Sequence, residues 1–254
     1  MNDRRTAEIR CVLDRIWRQY PPELASSQRD DAARIAYHIE LVLSHMGSNV
    51  SLWDIGGGIG MFSIGCAALG MKVTLVDDFR DDVGSAALNL HKRYGVRVMQ
   101  RDVVKDGLGL DGESVDVVTS FAAIEHWHGS PKGVLHAARQ ALRPGGLMVL
   151  NLPNCVDIGK RIATLLGTAQ WSSMEAWYEG PVFRSHVREA RVADLLYIAR
   201  DLRLDQCTIL GRNWGLIYAF GRRSGIAGLL AGGADRLLRF RPTLCSEIYL
   251  LGTK

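Results

Sequence analysis

The chain has 254 residues, a formal net charge of +4, a 47% hydrophobic share and 23% charged residues. That length buries a sizeable core, and the balance is that of an ordinary soluble globular protein rather than a disordered, fibrous or membrane-spanning one. The 31 basic residues, all but six of them arginine, are scattered beside acids, so no basic run demands a polyanionic partner.

Residues 3–20 place Ile9, Val12, Leu13, Ile16, Trp17 and Tyr20 at helical spacing, and Pro21-Pro22 ends the segment. A second helix is expected over 30–46 through Ile35, Ile39, Val42 and Met46. Residues 1–48 then form an N-terminal extension, a packing cap or a lid, ahead of a main domain over 49–254. From Val50 short apolar runs alternate with helical segments. Strands are expected at 50–55, 72–77, 96–100, 115–120 and 146–152, with helices at 60–69, 81–94 and 130–142. Such alternation predicts an α/β fold with a mostly parallel, doubly wound sheet, whose ligands bind outside the carboxyl ends of the strands. A less regular stretch follows over 154–185, with Trp171, Trp177 and Tyr178, and reads as a substrate-side insert extending to about 186. A helix at 189–200, a strand at 203–211, a glycine-weakened helix at 225–240 and a last strand at 245–252 complete the chain. The leucines and arginines of 226–241 suit either packing on the domain or peripheral contact with a membrane surface.

The chain is organised around Leu52-Trp53-Asp54-Ile55-Gly56-Gly57-Gly58-Ile59-Gly60. An apolar strand runs into glycines that admit positive φ and let a ligand approach the backbone, and the helix that follows aims its first N–H groups at the turn. Alone, this says only that a nucleotide-like ligand sits there. A nicotinamide-dinucleotide turn is the rival, but counting from Gly58 it meets Ser63 where glycine or alanine is expected, and it calls for neither Asp54 nor a later Arg-Pro-Gly-Gly.

Four features stand in order: Asp54 to Gly60, Asp77 at the end of the second strand, Asp102 after the third, and Arg143-Pro144-Gly145-Gly146 before the fifth. Together they resemble the class I S-adenosylmethionine-dependent methyltransferases, well over about 50–154 and more loosely beyond. The resemblance implies a Rossmann-like seven-stranded sheet with helices on both faces, its last strand antiparallel between the fifth and sixth. It implies S-adenosylmethionine as cofactor, held by Asp54, Gly56, Gly58, Gly60, Asp77, Asp78, Phe79, Asp102, Val103 and Ser120. A carboxylate such as Asp77 can accept from two vicinal ribose hydroxyls, and Asp102 from the adenine amino group.

After the fourth strand, Glu125-His126-Trp127-His128 resembles the small-molecule branch of that family, as do Asn151-Leu152-Pro153-Asn154 and His186-Val187-Arg188-Glu189 more softly. The acceptor is then expected to be an oxygen of a small molecule or of a glycan- or lipid-linked intermediate. An RNA or protein methyltransferase, and a non-catalytic binding module, are the alternatives. A nucleic-acid acceptor is disfavoured because neither the nucleobase-amine motif nor a basic patch interleaved with aromatics is present. Histidine titrates near neutrality, so His126 is the first choice of base, with Glu125, His128 and His186 as weaker candidates. Trp127, Trp171, Trp177 and Tyr178 are candidate walls of an acceptor pocket. No clustered metal-ligand set is legible, and no metal is expected. Five spaced cysteines without a C-x-x-C pair, a charged N-terminal segment unlike a secretory leader and no run long enough to span a membrane predict a cytoplasmic protein.

Overall fold

A computed structural model of the protein describes residues 3–79, 85–109, 112–169, 172–181, 183–215 and 226–254. The elements in chain order are α1 (Asp3–Trp17), α2 (Pro22–Met46), β1 (Ser51–Ile55), α3 (Met61–Ala68), β2 (Lys72–Asp77), α4 (Ser85–Arg93), β3 (Arg97–Gln100), α5 (Val103–Asp106) and β4 (Val115–Phe121). A single 3₁₀ turn at Ile124–His126 leads to α6 (Lys132–Ala141), β5 (Leu142–Pro153), α7 (Ile158–Leu165), α8 (Met174–Tyr178), α9 (Val192–Asp201), β6 (Asp205–Arg212), α10 (Ile226–Leu238), a second 3₁₀ turn at Pro242–Leu244 and β7 (Glu247–Thr253).

The seven strands form one sheet in the order β3-β2-β1-β4-β5-β7-β6. β1 pairs in parallel with β2 and with β4, and β2 with β3. The order reverses beside β1, which is where a doubly wound sheet opens a ligand crevice. β7 runs antiparallel to β5, since Gly145 N donates to Lys254 O at 2.9 Å, Lys254 N to Gly146 O at 3.0 Å, and Asn154 N to Ser246 O at 2.8 Å. The expected topology, with the last strand inserted between the fifth and sixth, is the one observed.

Several boundaries differ from those read in the sequence. α2 begins at Pro22 rather than near residue 30, because proline is tolerated at the first helical position, where its missing N–H would be unpaired anyway. β5 begins at Leu142, so the Arg143–Gly146 turn lies within its first residues, with Gly145 at φ 75. The irregular stretch contains α7 and α8, capped by the side chains of Asp157 and Ser173. Neither helix has a buried residue; α7 does set Ile158, Ile162 and Leu165 at helical spacing, a signal that the irregular reading of 154–185 passed over, whereas the five residues of α8 are too few to show a period. The start of the helix expected at 81–94 lies outside the described residues.

By internal packing the chain divides into two compact units, the first running to Ser120 with Lys132–Met148 and Thr253–Lys254, the second comprising Phe121–Pro131 and Val149–Gly252. In the first, Ile9, Leu13 and Ile16 of α1 and Ile39 and Val42 of α2 are almost wholly buried. Full burial stabilises each by roughly 1.5–3 kcal/mol. A Cβ on Gly65 of α3 would stand 2.6 Å from Ile39 Cδ1 and 3.1 Å from Leu13 Cδ2, so glycine there lets the three helices meet. In the second unit, Leu150, Leu152, Leu195, Ile248, Tyr249 and Leu250 form the core. Asp235 of α10, 1% exposed, is held by Arg212, Arg239 and the backbone N–H of Asn213. Among the described residues no helix is long and apolar enough to cross a membrane.

Candidate functional site

In the first unit the glycine turn connects β1 to α3. Gly56 and Gly58 have φ of 73 and 54, which L side chains adopt only with strain. A Cβ on Gly57 would stand 2.8 Å from both Asp54 Cγ and Leu75 Cδ1, so close approach excludes any larger residue. Gly60 caps α3, with its N–H donated to Gly57 O at 3.2 Å. On the other side of the turn, the Tyr20 hydroxyl donates to Ile59 O at 2.6 Å, tying the end of the first helical segment to it. Burial pushes the Tyr20 phenol far up, so it remains a donor.

Asp54 is 2% exposed. Ser63 Oγ donates to its Oδ2 at 2.7 Å and Thr119 Oγ1 to its Oδ1 at 3.0 Å. Burial pushes its pKa up to about 6 against the pull of those two hydroxyls, with the nearby Asp77 charge adding to the rise. The side chain therefore fixes the turn against α3 and β4. Asp77 ends β2; its Oδ2 accepts from Gly58 N at 2.8 Å and its Oδ1 from Phe79 N at 2.9 Å. Burial raises this carboxyl too, opposed by those N–H groups. A carboxylate has about four acceptor positions, so Asp77 keeps capacity for a vicinal diol while bracing the glycine turn. Phe79 holds φ 48, a strained backbone for an aromatic residue, and Asp78 presents its carbonyl to Gln100 Nε2 at 3.2 Å.

Asp102 caps α5, its Oδ1 accepting from Val104 N and Lys105 N at 3.2 Å each, and Val103 is buried as the first residue of that helix. Ser120 Oγ donates to Ile55 O at 3.0 Å, joining the ends of β4 and β1. Among the sequence-predicted residues, then, Asp102 and Ser120 serve the local backbone, Asp54 binds the hydroxyls of Ser63 and Thr119, and Asp77 and the glycines form one cradle. The donors Ser63, Thr119 and Tyr20 escaped sequence reasoning, because an apolar helix, a buried strand and a terminal helix offer no sign of what their hydroxyls meet.

The second unit brings together Glu125, His126 and His186, one ligand-type atom of each lying within 4.8 Å of the others. The backbone secures them: Val187 N and Arg188 N donate to Glu125 O at 2.7 and 3.2 Å, joining the 3₁₀ turn after β4 to a segment sixty residues on. The Glu125 side chain is 1% exposed and its Oε2 has no hydrogen-bond partner among the described residues. Burial pushes its pKa up to about 7. His126 bonds Arg184 O through Nδ1 at 3.1 Å; burial, then the neighbouring His186, lowers its pKa. His186 bonds Glu189 Oε1 through Nδ1 at 2.8 Å, which raises its pKa. Glu189 is also paired with Lys160 Nζ, and these two partners outweigh burial and hold its carboxyl below the usual range. A cavity of about 320 Å³ beside this cluster is lined by Cys155, His186, Glu189, Arg191 and Asp194 among others.

His128 is not brought into the cluster; its Nε2 bonds Phe183 O at 3.0 Å. Trp177 and Tyr178, expected as pocket walls, are 61% and 73% exposed because the five-residue α8 has no buried face. Trp171 lies outside the described residues. Asn151 and Asn154 bind backbone instead, Asn151 Nδ2 reaching Ile248 O at 3.2 Å and Asn154 Nδ2 Cys245 O at 2.8 Å. Sequence reasoning singled out Glu189 only as the end of the His186–Glu189 string, with no role, and missed Lys160; the i,i+3 spacing of His186 and Glu189 is the signal that could have paired the first with its histidine.

A family model for methyltransferase domains matches residues 12–199. A ubiquinone biosynthesis O-methyltransferase of Cereibacter sphaeroides is 31% identical over 161 residues, 63% of this chain and 58% of that one, so the match spans less than two thirds of the relative's length. The solved structure of an S-adenosylmethionine-dependent methyltransferase from Mesorhizobium loti superposes with a TM-score of 0.58 at 16% identity, covering 89% of this chain and all of that one. The 1,6-didemethyltoxoflavin-N1-methyltransferase of Burkholderia thailandensis, solved with its substrate and S-adenosylhomocysteine, superposes with a TM-score of 0.55 at 17% identity, covering 91% and 85%. The chain belongs to the methyltransferase-domain family, in its class I, S-adenosylmethionine-dependent branch.

Proposed function

We propose that the protein transfers a methyl group from S-adenosylmethionine to a hydroxyl oxygen of a small molecule. The observation that carries the cofactor half is the Asp77 cradle, in which one carboxylate braces Gly58 and Phe79 and keeps acceptor capacity for the ribose diol. The open side of Gly58, where an added Cβ would meet nothing within 4 Å, fits a ligand against the backbone. Bound there, S-adenosylmethionine supplies an electrophilic methyl on a sulfonium. The glycine turn, Asp77, Asp78, Phe79, Asp102, Val103 and Ser120 form the holding set, with Asp54 fixing the turn from behind.

The acceptor half rests on Glu125, His126 and His186, which follow β4 in the chain and the α7–α8 segment. In-line displacement at a methyl group depends on holding the acceptor oxygen at attack distance. The simplest agent for its proton is His126: its lowered pKa keeps the ring neutral at pH 7, and its Nδ1 bond to Arg184 leaves Nε2 to accept. As that oxygen takes the methyl, the proton it gives up would be held on the His126 ring. The O-methyltransferase names of the relatives support oxygen as the target. Exposed apolar side chains on α7, α8 and the turn between them, Leu165, Leu166 and Trp177, suit an acceptor with a lipid portion. Five free cysteines support a cytoplasmic site of action.

The test is transfer of labelled methyl from S-adenosylmethionine to metabolite, protein and RNA fractions of a host extract. Label in the metabolite fraction, reduced about a hundredfold in His126→Ala with cofactor affinity unchanged, is the expected result. Label confined to RNA or protein would overturn the small-molecule reading.

A further inference from the structure

We propose that Glu125, His126 and His186 form a binding site for a divalent transition-metal cation of the zinc type. The sequence shows no metal motif, because the third ligand lies sixty residues from the other two; the fold alone assembles the set.

Three observations converge. One ligand-type atom from each residue lies within 4.8 Å of the others, close enough for one cation to draw all three together. Both imidazoles spend Nδ1 on an oxygen, His126 on Arg184 O and His186 on Glu189 Oε1. An Nδ1–H donated this way fixes the tautomer and leaves the Nε2 lone pair for a metal. Finally, Glu125 has a buried oxygen, Oε2, with no hydrogen-bond partner among the described residues. Leaving a buried acceptor unpaired is unfavourable, and a cation on that oxygen removes the penalty.

The surroundings fit the same reading. Glu189 orients His186 as an outer carboxylate and is itself held by Lys160, the carboxylate–histidine arrangement that supports metal ligands. Two imidazoles and one carboxylate suit zinc, iron(II) or cobalt(II) better than magnesium or calcium, which favour all-oxygen sets. Three protein ligands leave a position open, as in catalytic rather than structural sites. This part rests on the methyl-transfer reading: a cation held by Glu125, His126 and His186 would make an acceptor hydroxyl at its open position more acidic, and with Nε2 committed to the metal, His126 would act as a ligand in place of the proton acceptor it is in the metal-free chain.

The test is metal binding by the full chain, measured without cofactor or acceptor, so its result does not depend on methyl transfer. Chelator-treated protein is titrated with cobalt(II) and followed by visible absorption, and zinc is counted by equilibrium dialysis. One cation per chain is expected, with nitrogen–oxygen d–d bands and no thiolate charge-transfer band. Glu125→Gln, which keeps shape, and His186→Ala should each weaken binding at least a hundredfold, and Glu189→Gln about 10–100-fold. The surface variant His45→Ala should bind as the parent does. No stoichiometric cobalt band in the parent protein, a thiolate band, or unchanged affinity in folded Glu125→Gln would overturn the proposal. A site that binds while no fraction is methylated would leave it standing and remove the methyl-transfer reading instead.

Discussion

Replacing Asp54 with asparagine should remove a pH-dependent weakness of the fold. Asp54 is 2% exposed, and burial pushes its pKa from 3.8 up to about 6. A gap of that size is worth about 3 kcal/mol between the two protonation states. The folded chain holds this proton more tightly than the unfolded one. The stabilisation is therefore fully present below pH 3.8 and is lost as pH rises through about 6. Asparagine cannot titrate there. It also lacks one acceptor oxygen, so the hydroxyl of Ser63 or Thr119 loses a partner, an offset of about 0.5–1.5 kcal/mol present at both ends of the window, the extra strength toward the ionised carboxylate being already contained in its pKa. The assay is urea unfolding of parent and Asp54→Asn at steps from about pH 3.5 to 7.5. The difference in unfolding free energy should move by about 3 kcal/mol in the variant's favour across that window. Other titrating groups are common to both proteins and cancel. A difference that stays flat with pH would refute the argument that Asp54 is ionised at the expense of stability.

Asp77→Asn should weaken S-adenosylhomocysteine binding at least tenfold in calorimetry, because the remaining amide offers one acceptor where a diol needs two. Gly57→Ala should lower stability by about 1–3 kcal/mol in thermal unfolding, since the new methyl overlaps Asp54 and Leu75 in a turn with no room to shift. Asp235→Ala should cost about 3–5 kcal/mol, leaving Arg212, 10% exposed, beside an empty site that Asn213 and Arg239 also lose.

The first unit was legible in the sequence because its signals are local. A strand–glycine–helix turn, an acid ending β2 and an acid opening α5 each sit within a few residues of the backbone they serve. Strand–helix alternation then pointed to a mostly parallel sheet, and the family resemblance supplied its seven strands and the antiparallel β7. The second unit was less legible for the opposite reason. His186 meets His126 through tertiary bonds, from Val187 and Arg188 to the Glu125 carbonyl and from the His126 ring to Arg184 O, and Lys160 reaches Glu189 across twenty-nine residues. α8 is too short to show a period, and α7, whose Ile158, Ile162 and Leu165 do stand at helical spacing, is only eight residues long and lies in a stretch with no other regular pattern. Asn154 looked like part of a functional string, yet it holds the carbonyls of Thr243 and Cys245.

Three buried carboxyls separate structural from functional acid in this protein. Asp54 has each oxygen paired with a hydroxyl, and Asp235 is surrounded by two guanidinium groups and an N–H. Both are complete: Asp54 ties α3 to β4 through the two hydroxyls, and Asp235 ties two arginines to the Asn213 backbone. Glu125 is as deeply buried but keeps an oxygen without a partner among the described residues, and its backbone carbonyl, not its carboxyl, ties down Val187 and Arg188. An isolated buried acceptor costs about 1–3 kcal/mol, while a glutamine or leucine at this position would leave the carbonyl tie intact. Packing therefore does not call for an acid at position 125. What calls for it is a positive charge or a proton arriving from outside the chain, and the two histidines beside it are the groups that would share either one.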